Sequence, residues 1–436
     1  MMVGACSLGA CAPAISGSAE TITRLERARA ADPKSEAVER SLGIAYFKAN
    51  RYPEARAALQ SANAADPNDG VAALYLGLTA EAQNDLPAAR AAYERYLAVG
   101  KTRGTRNQIN ERLQALRLRE IQVVAKQALA DETKRASVPG PPNTVGVLPF
   151  SFSGADTSLK PLERGFAELV TTDLSRSPRL TVVERMQLQA VLDEMNLQQT
   201  SGTAAGTGVR AGKVLQVGRM VGGTIQQTGN QLRANALVTD ISTTRVGASA
   251  SDQQSLEQVF TLEKNIVLQL FNTLGVQLST AERNAIEQRP TRSLAAFLAF
   301  SRGLELEDRG RLNDASRFFD DAVRLDPSFG SAQQKSRETK AAAAGALVNI
   351  SSVESSLKGT PEGATVNAAV QGSTTASTTG GTIGALANGL NPSPVAGATS
   401  GANGTSTQPS KDPSSATGAD NVSTRTAKVT IIIHRP

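Results

Sequence analysis

A 34-residue repeat is the strongest constraint in the N-terminal part of the chain. Ala31-Asp32-Pro33 returns as Ala65-Asp66-Pro67, and Leu42-Gly43 returns as Leu76-Gly77. Tyr52-Pro53-Glu54-Ala55-Arg56 returns as Leu86-Pro87-Ala88-Ala89-Arg90. Each position has a physical job in stacked helical hairpins. Gly43 and Gly77 let two antiparallel helices approach closely, and Ala55 and Ala89 sit where the second helix packs on the first. The Asp-Pro pair ends one hairpin and opens the next, because proline is tolerated only in the first helical turn.

The period is that of the tetratricopeptide repeat. A third copy lies far downstream: Gly303 precedes Leu312 as Gly43 precedes Tyr52, Ala315 matches Ala55, and Asp326-Pro327 matches Asp66-Pro67. A helical hairpin is therefore expected over residues 291–345. One isolated unit cannot bury both of its faces, so it must pack on the central domain, on the N-terminal repeats or on another subunit. The repeats with a capping helix are assigned to residues 19–136, the cap carrying Ile109, Leu113, Leu116, Val124 and Ala128 as its apolar stripe. Pro139-Gly140-Pro141-Pro142 marks a linker over 137–143.

Residues 144–278 read as a mixed α/β domain. Strands are expected at Thr144–Phe150 and Leu180–Val183, and an antiparallel hairpin at Arg219–Gln226 and Leu232–Thr239 around Gly229-Asn230. Helices are expected over 161–176, 186–195, 209–217 and 256–274. The elements do not alternate strictly, which favours α+β over a doubly wound sheet. The fold class is thus α+β: helical repeats, a central mixed domain, a further helical hairpin and a disordered tail. That tail is assigned to residues 351–426, where Ser, Thr, Gly, Ala, Asn and Pro dominate and burial cannot offset chain entropy. Residues 427–436 have strand character, and are either a strand for a sheet edge or a frayed apolar end.

Little in the chain points to chemistry. The only histidine is His434, which removes histidine-based metal sites and Ser-His-Asp or Cys-His catalysis from the folded domains. No cofactor or metal is expected. Gly206 to Val214 departs from the phosphate-loop spacing, and Val214 stands where Ser or Thr would bind Mg²⁺. Glu163, Glu168, Asp173 and Glu184 could be imagined as acid/base pairs, but Glu163 and Asp173 are expected on a solvated helix face. Glu184 at a strand-to-helix junction is expected to satisfy backbone N–H groups of the following helix. With a net charge of +6 and mixed signs, Arg112, Arg117, Arg119 and Lys126 read as another solvated face, and no nucleic-acid partner is expected. Asn403 and Asn421 open glycosylation-type triplets of little weight.

The order Val145-Gly146-Val147-Leu148-Pro149-Phe150, then Arg164-Gly165-Phe166, then Glu184-Arg185 resembles the periplasmic domain of the curli production assembly/transport lipoproteins, the CsgG family. The related N-terminal domain of TolB-like proteins opens on a similar strand. Pro149, Phe150, Gly165, Glu184 and Arg185 are the matching positions. The resemblance implies a non-enzymatic envelope protein, and a homo-oligomer assembled through this domain. Family members that form secretion rings use long membrane hairpins, and no such extension is legible at Gln226–Leu232.

Leu8-Gly9-Ala10-Cys11 has the pattern of a lipoprotein signal, with Val3-Gly4-Ala5-Cys6 as a weaker copy. No basic segment or full apolar stretch precedes it, so residues 1–18 are either a truncated signal or a chance cluster. Lipidation at Cys11, or alternatively Cys6, would be the means of membrane attachment, since no apolar run reaches the ~20 residues of a spanning helix. The expected function is protein–protein interaction for secretion or envelope assembly, in the periplasm at the outer membrane, with a protein partner in the repeat groove. The alternatives are a soluble TolB-domain and repeat scaffold or regulatory protein without a lipid anchor, and an outer-membrane secretion channel subunit.

Overall fold

A computed structural model describes residues 15–197 and 204–365. Cys6, Cys11, His434, Asn403, Asn421 and the 427–436 segment lie outside the described residues, as does most of the 351–426 tail.

Six helices lead the chain: α1 (Ala19–Ala31), α2 (Glu36–Lys48), α3 (Tyr52–Ala65), α4 (Gly70–Ala82), α5 (Leu86–Val99) and α6 (Arg103–Ala130). The repeat chemistry explains their ends. Pro53 and Pro87 sit in the first turns of α3 and α5. Asp32 and Asp66 follow α1 and α3, and their carboxylates accept from the amides of Lys34 and Asn68, an Asx turn. The turn inside each hairpin passes through a left-handed residue, Asn50 (φ 58) and Asn84 (φ 57), with Gly310 (φ 69) at the same point of the downstream copy. Asparagine and glycine are the residues that adopt this conformation at least cost.

The helix α7 (Glu132–Ala136) leads into a mixed sheet of β1 (Thr144–Val147), β2 (Ser151–Ser153), β3 (Thr181–Val182), β4 (Arg219–Thr228), β5 (Gln231–Asp240) and β6 (Val246–Ser255). Strand order is β3-β1-β4-β5-β6, with β2 also on β4. The β3-β1-β4 pairs are parallel and the β4-β5-β6 pairs antiparallel. The expected strand over Thr144–Phe150 is broken. Val147 pairs with Val221 and Ser151 with Thr224, so one extra residue bulges between β1 and β2. Pro149 lies in that bulge, where its missing N–H costs no ladder bond.

The helices α8 (Leu162–Leu174) and α11 (Val259–Thr273) cover one face of the sheet, and α9 (Arg185–Leu197) and α10 (Ala204–Leu215) the other. On the first face Val145, Val147, Val221, Ile225, Ala234 and Ala236 form a core with Phe166, Ile266 and Leu270. On the second, Met220 and Ile241 meet Leu188, Val191, Ala211 and Val214 together with Ala125 and Ala128 of α6. The helix expected over 209–217 begins earlier, at Ala204, and ends at Leu215; Gly212 lets it close on Ile241.

The chain closes with α12 (Thr280–Glu287), α13 (Leu294–Asp308), α14 (Leu312–Leu325), α15 (Gly330–Gly345) and α16 (Ile350–Leu357). The hairpin α13–α14 packs on α8 of the central domain, and α15 packs on α6. The third repeat thus buries its second face within the same chain. Disorder from residue 351 is corrected over its first fifteen residues: α16 is a helix whose Val353 and Leu357 are buried in the core of the N-terminal repeats.

Candidate interaction surface

The repeat glycines sit at helix crossings. A Cβ on Gly43 would lie 2.5 Å from Leu59, one on Gly77 would run into the Tyr93 ring, and one on Gly303 would lie 2.5 Å from Phe319. Ala55, Ala89 and Ala315 are fully buried on the partner helices. These contacts hold α2 on α3, α4 on α5 and α13 on α14.

The first helices of the pairs, α2 and α4, together with α6, form one continuous face. Residues 349–365 lie on it as a strap. Asn349 caps α16 by accepting from the Ser352 amide at 2.8 Å. Tyr75 of α4 donates to Glu354 at 2.8 Å, and Lys48 Nζ of α2 lies 3.3 Å from the same carboxylate. Thr105 of α6 bonds Ser356 at 2.6 Å. Burial and the nearby Glu354 carboxylate both raise the Tyr75 phenol well above its ordinary pKa, so it remains a donor.

Beyond α16 the strap ends on a carboxylate cradle. Glu362 accepts from the backbone amides of Lys101 and Thr102, both at 2.8 Å, and from Tyr96 at 3.4 Å. These amides lie just ahead of the 28-residue helix α6, Thr102 being its N-cap, where the helix dipole favours an anion. The repeat register explains the vacancy. Position 100 corresponds to Asp66, whose side chain caps its own turn, but here the residue is Gly100. Gly70 leaves room as well, since a Cβ there would sit 2.9 Å from Glu362 Oε1. Alongside, Arg40 pairs with Asp69 at 2.6 Å in a buried bridge, and its other nitrogen lies 3.5 Å from the Thr365 carbonyl.

A second junction ties the repeats to the sheet. Phe150 turns inward from the Pro149 bulge and packs edge-on against Phe166, with ring centroids 5.0 Å apart. Its amide donates to the Glu163 carbonyl, and the Phe152 amide donates to the Glu163 carboxylate at 2.9 Å. Gly165 lies where α8 meets α13; a Cβ there would collide with Ser301. Next to this crossing, Arg185 is buried among carboxylates. It donates to Glu168 at 3.0 Å, and also to Glu307 and Asp308 at the end of α13. Arg164 lies 3.0 Å from Asp308, and Lys335 lies 3.2 Å from Glu307. Burial alone would raise the Glu307 pKa, but Lys335 and Arg185 outweigh it and hold the carboxyl below its ordinary range. Three cations thus meet three carboxylates across α8, α9, α13 and α15.

Of the polar residues expected in solvent, Asp173 and Arg112 are internal ties, whereas Arg117 and Arg119 stay exposed as expected while reaching a carboxylate. Asp173 is buried and pairs with Lys264 and with Arg176. Arg112 and Arg119 both reach Glu81, and Arg117 pairs with Glu184 at 3.0 Å. The Glu184 side chain is therefore turned to α6; its main-chain carbonyl is what accepts from the Gln187 and Leu188 amides. Glu354 and Glu362 are not marked by their surroundings, a Ser-, Gly- and Thr-rich stretch. The missing Asp at position 100 was the one available signal.

Among the described residues no helix is long and apolar enough to cross a membrane. No curated protein matches the chain. A solved structure, the LpoB C-terminal domain from Salmonella enterica, is similar at 12% identity with a TM-score of 0.22, over 31% of this chain and 95% of that one. The tetratricopeptide repeat family matches residues 19–76, and the family described as curli production assembly/transport component CsgG matches residues 118–260, from within α6 to the start of α11. The chain therefore carries a tetratricopeptide repeat followed by a CsgG domain.

Proposed function

We propose that this protein is a non-enzymatic component of the bacterial cell envelope that presents a tetratricopeptide surface to a protein partner from a CsgG-domain platform. The observation that carries the reading is α6. It is at once the closing helix of the repeats, packed on α5, and the helix on which α9 of the CsgG domain rests. A partner held by the repeats would therefore be fixed in position relative to the CsgG domain. The site would sit in the periplasm at the outer membrane, attached through a lipid on Cys11, with Cys6 as the alternative acceptor.

The geometry of the sheet favours a scaffold over a secretion channel. The strands β4, β5 and β6 are joined by short turns at residues 229–230 and 241–245. Strands β5 and β6 also spend one face on α11, whereas a spanning strand needs that face for lipid. Assembly of several copies through the CsgG domain is implied by the family alone; light scattering on the purified chain reads it directly.

Labelled palmitate tests the placement. The chain expressed from its own locus is expected to take up label and to fractionate with the outer membrane, and Cys11→Ala is expected to lose both. An unlabelled chain found only in the cytoplasm would overturn the envelope reading and leave the soluble scaffold.

A further inference from the structure

The face of α2, α4 and α6 is occupied by the chain's own residues 349–365, and what they offer it is specific. Two aliphatic anchors, Val353 and Leu357, are spaced i, i+4 on one side of α16 and are buried. One carboxylate, Glu354, goes to Lys48 and Tyr75. A second, Glu362, fills the amide cradle at Lys101 and Thr102 that Gly100 leaves uncapped. We propose that this face is a docking groove for an acidic amphipathic helix of a partner protein, and that residues 349–365 are a built-in competitor that must leave before the partner binds.

Two features favour exchange over a permanent strap. The strap is anchored by only two aliphatic side chains of modest size, with Ser351, Ser352, Ser355 and Ser356 between and around them. The cationic and amide donors belong to the repeat framework: Arg40 is held by Asp69, and the amides of Lys101 and Thr102 lie at the N-cap of α6. The groove would thus keep its donors when the strap departs. A second copy of the chain is the less suitable occupant. Only residues 346–349 separate α15 from α16, and four residues span at most about 14 Å, too short a tether to carry the strap to a neighbour while α15 stays on α6.

The inference rests on the scaffold reading, but its test is independent of localisation. A fluorescent peptide of residues 349–365 is titrated against the full chain and against two strap-released forms, Val353→Asp with Leu357→Asp, and Glu354→Lys with Glu362→Lys. Circular dichroism verifies that both forms stay folded. Saturable binding is expected to the released forms. Binding to the unaltered chain is expected to be at least about tenfold weaker, because a tethered strap competes at a millimolar effective concentration. A peptide with Glu354→Gln and Glu362→Gln is expected to lose at least about tenfold in affinity. No binding to either folded released form would overturn the proposal. So would equal binding of a peptide in which both glutamates are replaced by lysine, or a dimer of the unaltered chain that disappears when the strap is released.

Discussion

Arg185, the first residue of α9 in the CsgG domain, donates to Glu307 near the end of α13 in the downstream repeat. Neither side chain is more than 8% exposed. The same guanidinium serves Glu168 and Asp308, so its loss would leave three carboxylates short of a partner in a desolvated setting. Arg185→Ala is expected to destabilise the chain by about 3–5 kcal/mol, the usual cost of stranding a buried charge. Urea denaturation measures it. Replacing Arg185 with Met together with Glu307→Gln and Asp308→Asn is expected to recover part of the loss.

Arg117 and Glu184 join α6 to α9 in the same region, yet the Arg117 side chain is 53% exposed. Exposed pairs contribute about 0–1 kcal/mol. Arg117→Ala is therefore expected to shift the denaturation midpoint little, and the contrast with Arg185→Ala separates burial from mere ion pairing.

Two glycines give opposite expectations. Gly77→Ala forces a methyl into the Tyr93 ring between α4 and α5, and overpacking of this kind costs about 1–3 kcal/mol. Gly330 opens α15 with nothing within 4 Å of a built Cβ. Gly330→Ala should be neutral or stabilising by about 0.4–1 kcal/mol, because it restricts the unfolded chain. Thermal melts should fall for Gly77→Ala and stay level or rise for Gly330→Ala.

Glu263 on α11 is fully buried, and that burial, with Asp173 adding repulsion, pushes its carboxyl from 4.5 up to about 8 despite Lys264 at 3.0 Å. The folded chain then holds a proton that the unfolded chain releases. This contribution to stability is complete below pH 4.5 and declines as pH rises through about 8. Glu282 acts in the opposite sense. Hydrogen bonds from Ser279 lower it to about 2, so its contribution is present above its ordinary range and fades as pH falls toward 2. Glu263→Gln is expected to flatten the alkaline decline and leave the acid limb intact, as read from denaturation midpoints across pH.

The legible parts of the fold were those where one residue type has one physical use. Gly43, Gly77 and Gly303 announce helix crossings, and Gly229-Asn230 announces the β4–β5 turn that the structure contains. The strand β6 went unseen because Val246 to Ser255 offers Gly, Ala, Ser, Asp and Gln in place of branched or aromatic residues, and pairs through its backbone with β5. The sequence puts Asp173 and Arg112 on solvated faces because periodicity locates a helix's polar side but cannot say what packs on it. The long-range partners Lys264 and Glu81 turn them inward, while Arg117 stays exposed beside Glu184. The strap was hidden for a related reason: its composition is that of a flexible tail, and the groove contacts of Val353, Leu357, Glu354 and Glu362 are all long-range.

Hydrogen–deuterium exchange of the full chain measures most directly whether the repeat groove is filled by residues 349–365. A docked strap predicts that the α16 amides are slowed well beyond the coil rate, and that releasing the strap through Val353→Asp with Leu357→Asp speeds exchange at Lys101 and Thr102. Coil-rate exchange throughout 350–365 in the unaltered chain, with Lys101 and Thr102 unaffected by that release, would contradict it.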